Sequence, residues 1–349
     1  MKRASLTRLA LAASLLSGAF AATVARAAAN DATPPTRLFA AAAFTKAQKN
    51  SSIPTDAGTF VRGDDGEWHS FGPKIQQVSS ATVAPTDSSL IFLACGNGVM
   101  RSRDGGATWR QVTGWEISDV IVVAVDPTDA DRVYAASAWG IWRSTDGGES
   151  WVASRDGMDR NDMFTRTFIV DPRKPSRLLA GTAGGLYQST NYGESWKRIE
   201  AVPAVNILRL RHGVADPAVW LLGTEGEGVW LSTDDGESWQ TTAPGLATAN
   251  VYGVAVDPSN SDHLAAGGWQ TGVHLSTDRG ATWHVADQGL PSRNLLAFAF
   301  DPAHGGRLWA STFEEGTVFS DDGGKTWQDG GLYGALVNDL GFLPLPVSP

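Results

Sequence analysis

The chain has 349 residues, with 28 Lys and Arg against 37 Asp and Glu, for a net charge of −9. That acidic balance argues against general binding to nucleic acid or to an anionic membrane surface. The single cysteine, Cys95, rules out an intramolecular disulfide. Lying in an apolar run, it is expected to be a small buried hydrophobe.

The first segment reads as a secretory signal. Lys2, Arg3 and Arg8 form a basic start, Leu9 to Val24 is apolar, and Ala25-Arg26-Ala27 is a small-residue cleavage site. Residues 1–27 are therefore expected to be removed. Loss of the four basic residues Lys2, Arg3, Arg8 and Arg26 takes the net charge from −9 to about −13. No later run approaches membrane-spanning length, so no membrane insertion is expected after cleavage. The expected product is secreted and periplasmic. Residues 28–36 form a linker, and residues 37–349 one repeat domain.

Arg37 to Ala42 resembles the strand starts at Arg132 and Arg307. A polar insertion, Thr45 to Gly58, interrupts it. The run Gly63-Asp64-Asp65-Gly66-Glu67-Trp68 then reads as a degenerate copy of a motif that follows six times. That motif is Ser-x-Asp-x-Gly-x-Ser/Thr-Trp, with Asp104, Asp146, Asn191, Asp234, Asp278 and Asp322 at its third position. Successive copies are 42 to 45 residues apart. A fixed period of this size marks repeated supersecondary units.

Within one period the sequence alternates short apolar runs with turn residues. Val251 to Val256 is a strand, Asp257-Pro258 a turn, His263 to Gly267 a second strand, Gly272 to Leu275 a third, and the motif leads into a fourth. Four short antiparallel strands per unit is the signature of a propeller blade. The N-terminal segment has second- and third-strand features without a first strand. Val337 to Pro344 has first-strand features with nothing after it. The expected fold is an all-β, single seven-bladed propeller whose last blade combines both ends of the chain. Six blades with loose ends is the alternative.

The short polar side chains of the motif suit turn bonding, its glycine suits a positive φ, and its tryptophan anchors the hairpin. The Asp residues are thus expected to be structural. Asn191 agrees, because an amide accepts hydrogen bonds but is no general acid or base. The motif resembles the Asp-box or BNR repeat of sialidases, xyloglucan-degrading glycosidases, sortilin-type receptors and photosystem II assembly factors. The resemblance covers nearly the whole mature chain and implies a propeller. In size, export and repeat style the chain is most similar to the assembly-factor-like group, which implies a binding scaffold. Sialidase-like and xyloglucanase-like propellers are more distant. No Arg-Ile-Pro motif is present, and one propeller cannot form a cleft between two.

In such propellers the functional face carries the loops opposite the boxes. Candidates for contacting a partner or ligand there are Arg155, Arg160 and Arg166, the loop tryptophans Trp115, Trp139 and Trp269, and Asn206, Asn250 and Asn294 one repeat apart. The charged loop from Arg155 to Thr165 and the Thr45–Gly58 insertion are expected to form a recognition rim. Glu225, Glu314 and Glu315 are the candidate acids should the chain act on glycans, a reaction that needs two facing carboxyls. The six scattered histidines show no metal-ligand spacing, and no cofactor is expected. The reading is a monomeric, non-catalytic scaffold for an exported or membrane protein. The alternative is a glycoside hydrolase or lectin.

Overall fold

The computed structural model describes residues 36–43, 57–75, 77–313 and 315–345. The expected signal peptide, the linker before Thr36, the insertion from Thr45 to Asp56 and Glu314 lie outside them.

The described residues begin with β1 (Thr36–Ala43), β2 (Gly58–Arg62) and β3 (Trp68–Phe71). Blade 1 follows as β4 (Val78–Ala84), β5 (Asp87–Cys95), β6 (Gly98–Ser102) and β7 (Arg110–Gln111). Blade 2 runs from β8 (Val120–Asp126) to β11 (Val152–Ala153), and blade 3 from β12 (Thr165–Val170) to β15 (Lys197–Arg198). Blade 4 runs from β16 (Ile207–His212) to β19 (Gln240–Thr242), and blade 5 from β20 (Gly253–Val256) to β23 (His284–Val285). Blade 6 runs from β24 (Leu295–Phe300) to β27 (Gln328–Gly331). The final strand, β28 (Leu336–Pro344), pairs with β1 and completes blade 7 in the order β28-β1-β2-β3.

Seven four-stranded antiparallel sheets result. Their inner strands β4, β8, β12, β16, β20, β24 and β28 touch in sequence, and β28 touches β4, so the ring is closed. The expected composite blade is present. Ala40 faces Leu340 and Thr36 faces Pro344 in the β1–β28 ladder. The pairing covers an edge of β1 and an edge of β28 that would otherwise be open to association, and each sheet ends in a short outer strand.

The core lies between blades rather than within them. Seven apolar clusters fill the seven blade interfaces. Strand β5 shows why its sequence is apolar without interruption. Phe92 and Ala94 pack toward blade 2, while Ile91, Leu93 and Cys95 pack toward blade 7. Side chains alternate across a strand, so a sheet sandwiched between two neighbours needs apolar residues at every position.

The box tryptophans tie each blade to the one before it. Trp151 joins the blade 1–2 cluster and its Nε1 donates to Val112 O at 3.0 Å. Trp283 donates to Thr242 Oγ1 at 2.8 Å and Trp327 to Ala286 O at 2.9 Å. Trp68 in blade 7 does the same, donating to Gly330 O at 2.7 Å. The Gly63–Trp68 hairpin has therefore kept the anchor but not the box network. Asp64 pairs instead with Arg37 at 3.0 Å.

Candidate functional site

Two faces of the ring differ in chemistry. On one, the boxes satisfy themselves. Ser232 Oγ donates to Asp234 Oδ1 at 2.8 Å, and Gly236 N donates to Ser232 Oγ at 2.8 Å. Ser238 donates its N–H to Asp234 Oδ1 at 2.9 Å and its hydroxyl to Oδ2 at 2.5 Å. The same bonds recur around Asp104, Asp146, Asp278 and Asp322. Hydrogen bonds to the charged form stabilise it. The Ser and Thr hydroxyls, then their backbone N–H groups, hold Asp104, Asp146, Asp234 and Asp322 down to about 2. Asn191 keeps the frame, accepting Ser195 N at 3.0 Å and donating through Nδ2 to Ser195 Oγ at 3.0 Å. Each box is fully occupied with holding its turn.

The opposite face carries the loops that lead into the inner strands and the loops joining second to third strands. Trp115 and Tyr333 sit on the former, and Trp139 and Trp269 on the latter. Their exposures are 92 %, 78 %, 59 % and 44 %. Among the described residues the one other exposed aromatic, Tyr192, lies in a box and is covered by Arg132 at 4.1 Å. Trp139 is oriented by a 3.0 Å bond from its Nε1 to Asp119 Oδ2. Trp269 meets Phe313 edge-on at 5.2 Å.

The three asparagines occupy equivalent places and clamp this face. Asn206 O accepts from Glu225 N at 2.9 Å, Asn250 O from Trp269 N at 3.3 Å, and Asn294 O from Phe313 N at 2.9 Å. In each case the backbone carbonyl ties one loop type to the other. Asn206 Nδ2 also donates to Glu225 Oε2 at 3.0 Å, and Asn294 Oδ1 accepts Gln270 N at 2.9 Å. Glu225 is exposed and Glu315 half-buried. They stand on blades 4 and 6, with blade 5 between them.

The Arg155–Thr165 segment turns back onto its own blade. A short 3-10 turn at Arg160–Asp162 is capped by Asp159. Tyr187 donates to Asp162 Oδ2 at 2.6 Å, Trp196 N donates to Asp156 O, and Met158 is buried. Arg155 lies over Trp142 at 4.6 Å. Arg160 is exposed, whereas Arg166 stacks on Phe164 at 4.9 Å and lines the channel.

The channel mouth opens on the loop face as a cavity of about 420 Å³. Arg166, Arg209, Arg211 and Asp339 line it, with Tyr252 and Phe313. Arg209 Nη1 and Arg211 Nη2 both bond Asp339 Oδ1, at 3.1 and 3.3 Å. Arg209 also donates to Asn338 O at 2.9 Å. Arg209, Arg211 and Asp339 were not singled out in the sequence. Their signal was present, because strands β4, β12 and β24 carry uncharged residues (Ser80 and Thr82, Thr167 and Ile169, Ala297 and Ala299) where β16 carries Arg209 and Arg211.

Among the described residues no group of His, Cys, Asp and Glu is arranged to hold a metal ion. Cys95 is buried, and burial raises its thiol pKa to about 12.

The BNR/Asp-box repeat family model matches residues 318–329, the box of blade 6. No curated protein matches the chain in sequence. Solved structures share the fold. The GH74 enzyme of Niastella koreensis superposes with a TM-score of 0.67 at 18 % identity, over 85 % of this chain and 55 % of that one. The GH74 xyloglucanase of Xanthomonas campestris gives 0.61 at 17 %, over 90 % and 55 %. This chain thus spans about half the length of those enzymes. YCF48 bound to D1 peptide gives 0.56 at 19 %, over 74 % of this chain and 83 % of that one. The chain is a seven-bladed β-propeller in which blade 6 matches the BNR/Asp-box repeat model and blades 1 to 5 repeat the hydrogen-bond frame of that box.

Proposed function

We propose that the protein is an exported, non-catalytic scaffold that binds a protein partner on its loop face. The observation that carries this reading is the gathering of Trp115, Trp139, Trp269 and Tyr333 on that face. Large aromatics on a rigid frame anchor protein interfaces. YCF48, a similar propeller, is seen with a bound peptide. Cleavage near Ala28 and a periplasmic destination fit the signal-like N-terminus.

Glycan binding is the second reading. It draws on the likeness to GH74 enzymes and on Trp269 beside the channel mouth, a surface on which a sugar ring could stack.

The test places a photo-crosslinking residue at Trp115 in the full chain expressed in an exporting host. The scaffold reading expects one discrete protein adduct that disappears with Trp139→Ala. A parallel screen on xyloglucan and aryl glycosides, with Glu225→Gln and Glu315→Gln as controls, expects no turnover. Turnover abolished by either control would replace the scaffold with an enzyme. A mature N-terminus other than Ala28 would revise the export boundary.

A further inference from the structure

The channel carries a charge of opposite sign to the chain. Its net charge is −9, yet the cavity at the loop face is lined by three arginines and one aspartate. Arg209 and Arg211 share the single carboxylate of Asp339, and both bond the same oxygen, Oδ1. Arg166 forms no ion pair among the described residues, and its Nε is buried without a hydrogen-bond partner. His212 faces the further chamber of the channel, beyond Asp339.

Burial, followed by the positive charge of Arg209, lowers the pKa of Arg211 to about 10. It remains protonated at neutral pH, so the excess positive charge is real. Partly buried cations that outnumber their anions are costly, and a bound anion lowers that cost. Guanidinium groups bond the oxygens of carboxylate and phosphate in pairs. A volume of about 420 Å³ falls within the range of small-molecule pockets.

We infer that the loop-face end of the channel is a binding site for a compact oxyanion, a carboxylate or phosphate group held by Arg166, Arg209 and Arg211. Ser79 and Asn338 supply further polar lining. Asp339 acts as a built-in competitor that occupies Arg209 and Arg211 while the site is empty. The site lies at the channel mouth beside the aromatic rim, but its arginines are not rim residues and oxyanion binding there does not rest on what docks on the rim.

The experiment titrates the full-length mature protein with inorganic phosphate, and separately with citrate, at constant ionic strength against chloride. Binding is read by calorimetry and by melting temperature. A saturable response to at least one oxyanion is expected. Phosphate alone assigns a phosphoryl ligand, citrate alone a carboxylate, and both a shared oxyanion site. Arg166→Gln should weaken binding about tenfold, the loss of one charge-assisted hydrogen bond. Asp339→Asn should tighten it about tenfold by releasing both arginines. Arg166→Gln breaks no ion pair and keeps the test intact should Asp339→Asn fail to fold. No saturable response in the native protein overturns the proposal. So does an affinity unmoved by Arg166→Gln, or lowered by Asp339→Asn.

Discussion

Arg209 reaches across the propeller axis to Asp339, Nη1 to Oδ1 at 3.1 Å. The two residues belong to blades 4 and 7, three places apart around the ring. Neighbouring blades are held by apolar interfaces, but this pair joins blades that do not touch through their cores. Both side chains are largely buried, 16 % and 17 % exposed. Removing Asp339 leaves Arg209 and Arg211 without a carboxylate, whereas removing Arg209 leaves Asp339 paired with Arg211. Asp339→Ala should therefore lower stability by about 2–4 kcal/mol and Arg209→Ala by less, measured by denaturant unfolding. The double variant should lose less than the sum of the two.

The boxes predict an acid-sensitive window. Asp104, Asp146, Asp234 and Asp322 have folded pKa values of about 2, against about 3.9 for an unfolded aspartate. A depressed folded pKa contributes stability that is complete above the unfolded value and lost as pH falls through the folded one. Melting temperature should therefore fall steeply between about pH 4 and pH 2. Asp234→Asn should flatten part of that slope at a small cost at neutral pH, since Asn191 shows that the amide fits the frame.

Closure of the ring rests on β28. Leu340 is 2 % exposed and sits in the cluster between blades 6 and 7. Leu340→Ala should cost about 2–4 kcal/mol and expose sheet edges. Light scattering should then show association that a matched substitution at the half-buried Leu343 does not produce.

Cys95 should be silent in the native state. Burial holds its pKa at about 12, so almost no thiolate exists at neutral pH. A chromogenic disulfide reagent should label it only after denaturation. Rapid native labelling would contradict its place between blades 7 and 1.

The fold was legible because its determinants are local and repeated. A box needs only its own eight residues, and its tryptophan announces the blade behind it. The composite blade was legible too, because Val337 to Pro344 reads as a first strand and the segment ahead of β4 reads as second and third strands. The Arg155–Thr165 loop was half legible: Asp156, Asp159 and Arg160 are exposed as their charge suggests, but the bonds from Tyr187 to Asp162 and from Trp196 N to Asp156 O come from elsewhere in the sequence. The pairing inside the channel was illegible for another reason. Arg209 and Asp339 hold equivalent places in their inner strands but lie 130 residues apart, and no local pattern links blade 4 to blade 7. Only the curvature of the closed ring brings them together.

The pairing of β1 with β28 also sets the order of events as the chain is made. Strand β1 emerges before any complete blade, and the strand it must join emerges after blades 1 to 6. The first-made strand thus waits, unpaired on its inner edge, through the synthesis of everything between. Blades 1 to 6 can stack as they appear, but the circle is locked only by the last step. A chain of this topology that is threaded through a translocation channel must finish folding on the far side, with a strand edge in need of protection until then.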